Sequence, residues 1–544
     1  MLGLLLSGVL PSSASASTQI LNSPRVRVTA DQEQQGPSEG FLTLRVHAEN
    51  LTGRSQHVRV RFESRPSAEV SAELELAGAE RRTLDLLIPA HARYGTLAAD
   101  DGRDRGSEGF SWHWQSHDPL LLEGPTAAAE LVARGKSPDG SPTSFPAAIA
   151  VPKELLPTTL AALVGYAAVG VLETPFEDLP EPQRRALEAY AATGGELFLA
   201  QVPARPETSL SLWRGPRAEG PHAYGLGQVH LYSNAARCLD ALQGVGDIRR
   251  AASLSNPMPY GRSLGASDPL IGVARVPVGG FLLLVLAFVF VIGPGSFALR
   301  ARKGPGALML FIPLTALATC GGIAGYGVLH EGVFTVHAAS RTVTFLDAEH
   351  HRAATLSVDG FYASLAPSVV RYAALATPIP QQGPAYEDLQ LDLTSGLAFV
   401  GGFIPSRTYR EHLDASVAPA RARLSARSSG TQGPATVENA LGAKVVDGAV
   451  KLNGRICLFY NLADGASGSA SCTEEAELSQ ATRERFWAGF KDRFAPDRLN
   501  DNALGPMEDG DFLVSLDRAV FAPDLGISVQ REGDYQLVRG RVSP

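Results

Sequence analysis

Cysteine is scarce in this chain, with four residues among 544. Four is too few for a disulfide framework, and their spacings match no metal-ligand pattern. Excess positive charge is also missing. Lys and Arg total 48 against 56 Asp and Glu, a formal net charge of −8. The broad basic surface of a nucleic-acid-binding protein is therefore excluded. Charged residues make up only 19% of the chain while apolar residues reach 44%, which leaves ample material for buried cores. Glycine and proline are plentiful, 55 and 37 residues, as a turn-rich β protein requires. The length corresponds to about three or four domains.

Two uncharged apolar runs stand back to back, Val276–Leu299 and Pro305–Leu329. Each exceeds the roughly 20 residues that cross a hydrocarbon core. Neither holds an acid or a base, which argues against an ion path. Arg300, Ala301, Arg302, Lys303 and Gly304 separate them, while the outer flanks carry only Arg275 on one side and His330 and Glu331 on the other. The pattern predicts two transmembrane helices, 273–299 and 305–329, with a cytoplasmic loop at 300–304. The lipid bilayer of the cytoplasmic (inner) membrane is then a partner, and both soluble parts face the periplasmic side. Leu2–Leu10 followed by Ala14-Ser15-Ala16 reads as a signal peptide over residues 1–16, although no Lys or Arg precedes it. The alternative is a disordered apolar N-terminus. Gly293-Pro294-Gly295 is expected to kink or end the first helix. Gly321 and Gly325, with Ala318 and Gly322, suit close helix packing, either within the hairpin or against a partner's spans.

Residues 17–98 read as an immunoglobulin-like β-sandwich. Strands are expected at Arg25–Thr29, Phe41–Ala48, His57–Glu63, Val70–Leu76 and Arg82–Ile88, because apolar and polar residues alternate there. Residues 99–145 are loop-rich. His113, His117 and Asp118 invite a metal reading, but no helical pattern carries them, and a solvated loop is expected. From Ala147 the pattern changes. Strands Ala147–Val151, Ala168–Leu172 and Glu196–Ala200 frame a helix over Pro182–Thr193, whose Gln183, Leu187, Tyr190 and Ala191 share one face. Strand, helix and strand in that order make a parallel crossover, and 99–272 reads as a small doubly wound α/β domain.

A resemblance is carried by Leu156-Pro157, Leu163, Tyr166, Val169-Gly170-Val171-Leu172, Leu179, Gln183, Ala186-Leu187, Tyr190 and Gly194-Gly195-Glu196-Leu197, with Tyr224-Gly225-Leu226-Gly227-Gln228-Val229 after them. This pattern resembles the class I glutamine-amidotransferase-like domain of bacterial envelope membrane proteins that also carry a two-span hairpin. The resemblance implies the amidotransferase fold without its chemistry. The family's nucleophilic Cys stands in a glycine elbow after a strand, whereas here Glu196–Ala200 runs into Gln201-Val202-Pro203-Ala204. The nearest thiol, Cys238, stands in Ala236-Arg237-Cys238-Leu239, which is no elbow.

Residues 330–544 read as a β-sandwich-like domain of two packed sheets with one helix. Strands are expected at Val333–His337, Thr342–Leu346, Ala354–Val358, Leu389–Leu393, Ala443–Val446, Ala449–Leu452 and Arg455–Tyr460. Val437-Glu438-Asn439 with Leu441-Gly442, and Leu452-Asn453-Gly454-Arg455, resemble the same family's strand and hairpin. The helix is expected over Glu474–Phe494, capped by Thr473 or Ser471, with Phe486, Phe490 and Phe494 packing on the sheet beside Trp487. Cys457 and Cys472 flank a short polar loop and are expected to pair. Asp501, Glu508, Asp509 and Asp511 lack the ligand order of a calcium loop and are expected to be solvated.

The overall expectation is a multidomain α/β plus β protein. No catalytic, cofactor-binding or metal-ligating residue is assigned. The first functional expectation is a non-enzymatic, membrane-anchored envelope scaffold or binding module with a protein partner. The alternatives are an accessory subunit of a transport or export complex, and an envelope hydrolase acting through the α/β domain.

Overall fold

Strict alternation in the first hundred residues builds a β-sandwich. The computed structural model describes residues 17–31, 37, 39–64, 68–112, 119–126, 148–203, 205–213, 217–244, 270–271, 278–331, 335–380, 388–428, 430, 433–488 and 506–543. The signal-like segment 1–16 and the His113, His117 and Asp118 group lie outside the described residues. The sandwich strands are β1 (Ser17–Asn22), β2 (Val26–Asp31), β3 (Phe41–Asn50), β4 (Gln56–Ser64), β5 (Ala68–Leu76), β6 (Arg81–Pro89), β7 (Tyr94–Asp100) and β8 (Arg105–Ser111). One sheet has the order β1-β2-β3-β6. Leu44 and Val46 of β3 and Val58, Val60 and Phe62 of β4 are fully buried. Arg61, on the outer face of β4, pairs instead with Glu69 at 2.8 Å. The sandwich runs past residue 98, because β7 pairs with β4 and β8 with β7. The charged stretch from Asp100 to Arg105 is the turn between β7 and β8.

The α/β unit follows, with β9 (Leu120–Glu123), β10 (Ala148–Val151), β11 (Ala168–Val171), α1 (Glu181–Ala192), β12 (Glu196–Leu199), β13 (Gly220–Tyr224), β14 (Gly227–Leu231) and α2 (Ala235–Gly244). Its sheet order is β10-β9-β11-β12-β14-β13. β11 and β12 are parallel, as a crossover through α1 demands. Gln183, Leu187, Tyr190 and Ala191 all lie on the buried face of α1. Gly194, at φ 107°, ends the helix in a conformation that other residues rarely adopt. Arg45 of the sandwich donates to the Leu155 carbonyl at 2.7 Å and ties the two units together.

Two 26-residue helices come next, α3 (Val278–Lys303) and α4 (Gly306–Glu331). They pack side by side as a hairpin. Among the described residues one stretch, Val285–Lys303, is long and apolar enough to cross a membrane, and the apolar stretch Gly306–Gly322 is shorter. Neither Pro294 nor its flanking glycines ends α3, which continues to Lys303. Arg300, Arg302 and Lys303 therefore sit in the last helical turn, where cations complement the helix dipole. Only Gly304, at φ 79°, and Pro305 make the connection. Gly295 faces Phe311 across the hairpin, whereas open space surrounds Gly321, Gly322 and Gly325. Among the described residues, nothing lies within 4 Å of where a Cβ at these three glycines would stand.

The remaining strands are β15 (Val336–Asp347), β16 (Arg352–Ala363), β17 (Val370–Arg371), β18 (Ala376–Pro378), β19 (Leu389–Asp392), β20 (Ala398–Gly401), β21 (Arg410–Pro419), β22 (Arg423–Ser428), β23 (Ala435–Ala440), β24 (Val445–Leu452), β25 (Arg455–Leu462) and β26 (Ser467–Thr473). Helix α5 (Gln480–Trp487) precedes β27 (Asp511–Leu516), β28 (Val529–Arg531) and β29 (Tyr535–Arg541). This region does not form two sheets of its own. Most of its strands join one 12-stranded sheet, with the order β18-β21-β16-β15-β29-β27-β24-β25-β26-β23-β22 and β28 alongside β15. The other three leave it. β19 pairs in parallel with β5, Leu391 opposite Val70, and carries β20 and β17 with it. The second sheet of the N-terminal sandwich is thus β17-β20-β19-β5-β4-β7-β8. Leu389 and Leu391 are fully buried against it.

Two expectations about α5 are corrected. Ser471 and Thr473 belong to β26, so the helix starts later and Ser479 caps it, its hydroxyl accepting from the Thr482 N–H at 3.3 Å. Phe486 is buried; Phe490 and Phe494 lie outside the described residues. Cys457 and Cys472 are cross-strand partners of β25 and β26 and are disulfide-bonded. The bond closes a loop with a sequence separation of 15, which contributes about 3 kcal/mol.

Candidate functional site

In doubly wound sheets, ligands favour the carboxyl ends of the strands where the strand order reverses. Here that point is β9, with β10 on one side and β11 on the other. Glu123 ends β9 and is buried. Its Oε2 accepts from the N–H groups of Leu172, Glu173 and Thr174 at 3.0, 2.9 and 3.1 Å, and its Oε1 from the Thr174 hydroxyl at 2.7 Å. The carboxylate is thereby committed to holding the loop after β11. Replacing it by its amide, Glu123→Gln, keeps one oxygen for the three N–H groups but removes the charge that strengthens those bonds, and turns an NH₂ toward the Thr174 hydroxyl. Such a change is expected to cost about 2 kcal/mol, read as a lower urea midpoint. An unchanged midpoint would mean that the loop holds itself.

The groups named for amidotransferase chemistry do not meet. After β12 the chain offers Gln201, whose amide reaches the Glu173 carbonyl at 3.4 Å. Cys238 lies in α2 and is fully buried. Burial alone pushes its thiol up to about 12, which leaves no thiolate near neutrality. His230 Nε2 lies 3.2 Å from Glu196 Oε2, both side chains are buried, and the imidazole stacks on Phe198.

A different group of residues converges where the α/β unit meets the C-terminal sheet. A cleft of ≈ 390 Å³ opens between α1 and the turn joining β15 to β16. Glu188 of α1 forms its floor. The Glu188 Oε2 accepts from the Ser211 hydroxyl at 2.5 Å and the Tyr224 hydroxyl at 3.1 Å, and lies 3.5 Å from Arg352 Nη1. Arg352 also donates to the Ser211 hydroxyl at 2.7 Å. Burial, then the Glu188 charge, raises the Tyr224 phenol well above its ordinary range. That group stays neutral and donates. Arg185, His350, His351 and Arg352 stand around the opening, with Leu212, Leu375 and Val417 on the apolar wall. Glu188 is the one acid in this lining, and its charge is already engaged. The cleft has the chemistry to seat a small ligand with an anionic oxygen and an apolar body.

A second polar group is enclosed in the C-terminal sheet. Register aligns Ser340, Asp359 and His412 across β15, β16 and β21, with Ser357 and Asp414 one step along. Asp359 accepts from the hydroxyls of Ser340 and of Ser357, the latter at 2.5 Å, and lies 3.6 Å from Arg531. Tyr372 donates to Asp414 Oδ1 at 2.7 Å. Burial, then the neighbouring Asp359 charge, pushes the Asp414 carboxyl well above the carboxylate range. His412 stacks on Phe403 and its Nε2 donates to the Phe403 carbonyl at 3.0 Å. Asp359, His412 and Asp414 are essentially inaccessible to solvent, so this group organises the sheet and admits no substrate.

Among the described residues no group of three or more His, Cys, Asp or Glu side chains is placed to hold a metal ion. Glu508 and Asp509 are exposed, as expected of a solvated turn, whereas Asp511 is buried at the start of β27. Asp511 accepts from the Glu508 N–H and Asp509 from the Gly454 N–H, each at 3.0 Å; Asp501 lies outside the described residues.

No protein-family model matches this chain, and no curated protein does. Solved structures give distant likenesses. The yeast delta-COP-I mu-homology domain in complex with a Dsl1 WxWxV peptide is 12% identical at a TM-score of 0.18, covering 38% of this chain and 96% of that one. Bacteroides uniformis β-glucuronidase is 8% identical at a TM-score of 0.13, covering 32% and 23%. Amycolatopsis orientalis exo-chitosanase is 13% identical at a TM-score of 0.16, covering 92% and 61%. At such scores none of these carries an argument about this chain.

The cleft residues were not legible as a set. Glu188 reads as an ordinary polar position on α1, and Ser211 and Arg352 are 141 residues apart. The one signal was chemical, a His350-His351-Arg352 run at a hairpin tip.

Proposed function

We propose that this chain is a non-enzymatic, membrane-anchored scaffold of the bacterial cell envelope, with the cleft beside Glu188 and Arg352 as its ligand seat. In this reading α3 and α4 both cross the cytoplasmic membrane, and everything outside them faces the extracytoplasmic side. One observation carries it: β5, before the hairpin, and β19, after it, are neighbours in a single sheet. Strands of one sheet cannot lie on opposite sides of a bilayer, so the chain between them crosses an even number of times or not at all. The exposed apolar side chains Leu283, Phe290 and Phe297 of α3 and Met309, Leu310 and Leu317 of α4 favour crossing. Arg300, Arg302 and Lys303 at the hairpin tip favour a cytoplasmic tip. The Cys457–Cys472 bond fits an oxidising compartment. The resemblance to envelope proteins with an amidotransferase-like domain supports the same placement, and the buried Cys238 supports the absence of thiol chemistry.

The test is cysteine labelling with a membrane-impermeant maleimide in spheroplasts, in a Cys320→Ser background. Arg103→Cys and Glu438→Cys are expected to label fully, and Arg302→Cys only after the membrane is permeabilised. Labelling of Arg302→Cys in intact spheroplasts, or of only one of the other two, sinks the topology.

A second reading is an accessory subunit of a transport or export complex. It is favoured by the open space around Gly321, Gly322 and Gly325 of α4, a surface suited to another helix.

A further inference from the structure

We infer that the ectodomain rests on the bilayer through one defined edge, with Leu365 inserted in the lipid interface and Arg407 beside it at the headgroup phosphates. The inference rests on the membrane-anchored reading and adds an orientation to it. Its starting point is where the two chain connections to the hairpin attach. After α4 only residues 332–334 separate Glu331 from Thr335, a reach of at most about 14 Å. Before α3, residues 272–277 separate Ile271 from Val278, a reach of at most about 25 Å.

Both connections attach to the same end of the C-terminal sheet. Thr335 accepts from the Ser364 N–H at 3.3 Å, and Val336 pairs with Ala363. On the other side, the Leu270 N–H donates to the Tyr409 hydroxyl at 2.8 Å. Tyr409 precedes β21, whose Arg410 pairs with Phe361 of β16. Two short tethers at one sheet end hold that end at the membrane surface, while β15 and β16 run away from it.

The turns at this end are 364–369 and 402–409, and they are joined. The Arg407 N–H donates to the Ala363 carbonyl and the Ser406 hydroxyl to the Ser364 carbonyl, each at 2.7 Å. Arg407 is held at φ 56° and is exposed. Leu365 is 49% exposed, on a turn that carries no acid. The sequence Ala363-Ser364-Leu365-Ala366-Pro367-Ser368 and the facing Pro405-Ser406-Arg407-Thr408 contain one cation and no carboxylate. An apolar side chain flanked by small residues and a cation suits the boundary between acyl chains and phosphates. Two exposed acids flank this end outside the two turns: Asp524, whose neighbour Leu525 accepts from the Arg371 N–H at 3.0 Å, and Glu532, whose N–H donates to the Ala338 carbonyl at 3.0 Å.

The test uses full-length protein in nanodiscs, with single cysteines carrying an environment-sensitive fluorophore in a Cys320→Ser background. Lipids brominated near the carbonyl level or near the chain end serve as quenchers. Val289→Cys reports on the anchor and Glu438→Cys on a distant strand. Leu365→Cys is expected to be quenched at least two-fold by the shallow bromines and little by the deep ones. Val289→Cys should respond to the deep bromines and Glu438→Cys to neither. Quenching at Val289 with none at Leu365 overturns the inference and leaves the anchor standing. Absence of quenching at Val289 removes the anchored reading and this inference with it.

Discussion

Leu391→Asp is expected to unfold the N-terminal sandwich from a position more than three hundred residues downstream of β5, the strand it pairs with. Leu391 is buried, lies opposite Val70 in the parallel β5–β19 pairing, and accepts from the Ser71 hydroxyl at 3.3 Å. A carboxylate there has no counter-charge in reach, and burying one costs at least about 4 kcal/mol. A domain of ordinary stability has only about 5–15 kcal/mol in total. Hydrogen exchange in peptides covering residues 56–76 should accelerate by at least a hundred-fold. Gln390→Glu, one residue away on the exposed side, should stay within about 0.5 kcal/mol of the parent. Parent-like exchange over residues 56–76 in Leu391→Asp would show that β19 is dispensable to the sandwich.

The second large effect is on acid stability. Burial depresses His412 from 6.5 to about 3. The unfolded chain therefore takes up a proton below about pH 6.5 that the folded protein refuses. The stability contributed by neutral His412 is complete above that pH and is lost as pH falls toward 3. At pH 4.5 the loss amounts to about 3 kcal/mol relative to pH 7. Asp414 works in the opposite direction. Its raised pKa gives stability that is present in acid and lost as pH rises through the folded value. His412→Phe keeps a ring on Phe403 but leaves the Phe403 carbonyl unpaired, so it should lose about 1–2 kcal/mol at pH 7. Between pH 7 and 4.5 its urea midpoint should therefore move upward relative to the parent's, because the acid-side gain from Asp414 is no longer offset by the loss from His412. Equal pH slopes in the two proteins would exclude His412 as the source.

Local pattern and partner choice were unequally legible in the sequence. Period-two runs located β3, β4, β5 and β6 to within a residue or two, and the Gln183–Tyr190 face located α1. Arg105–Ser111 escaped because β8 is an edge strand whose side chains are mostly exposed, so alternation has little to act on. β19 was legible as a strand through Leu389 and Leu391, but alternation says which face is buried and nothing about which sheet buries it. β15 and β16 are buried on both faces. Ser340, Thr342, Ser357 and Asp359 then occupy interior positions that a hydrophobic pattern treats as surface, and the strand is seen only in pieces. Helix α5 was placed too early because Ser471 and Thr473 are acceptable caps in isolation; the pairing of β26 with β25 claims them first.

The β5–β19 pairing also sets a clock. At a synthesis rate of about 5–20 residues per second, the roughly 320 residues between the two strands take some 15–65 s to emerge. For that interval β5 presents a bare edge to its surroundings, and open edges invite pairing with other chains. The two helices of the hairpin are also made in that interval, before the final neighbour of β5 exists. Slowed translation anywhere between Leu76 and Leu389 lengthens that exposure and should raise aggregation more than slowing before β5 or after β19.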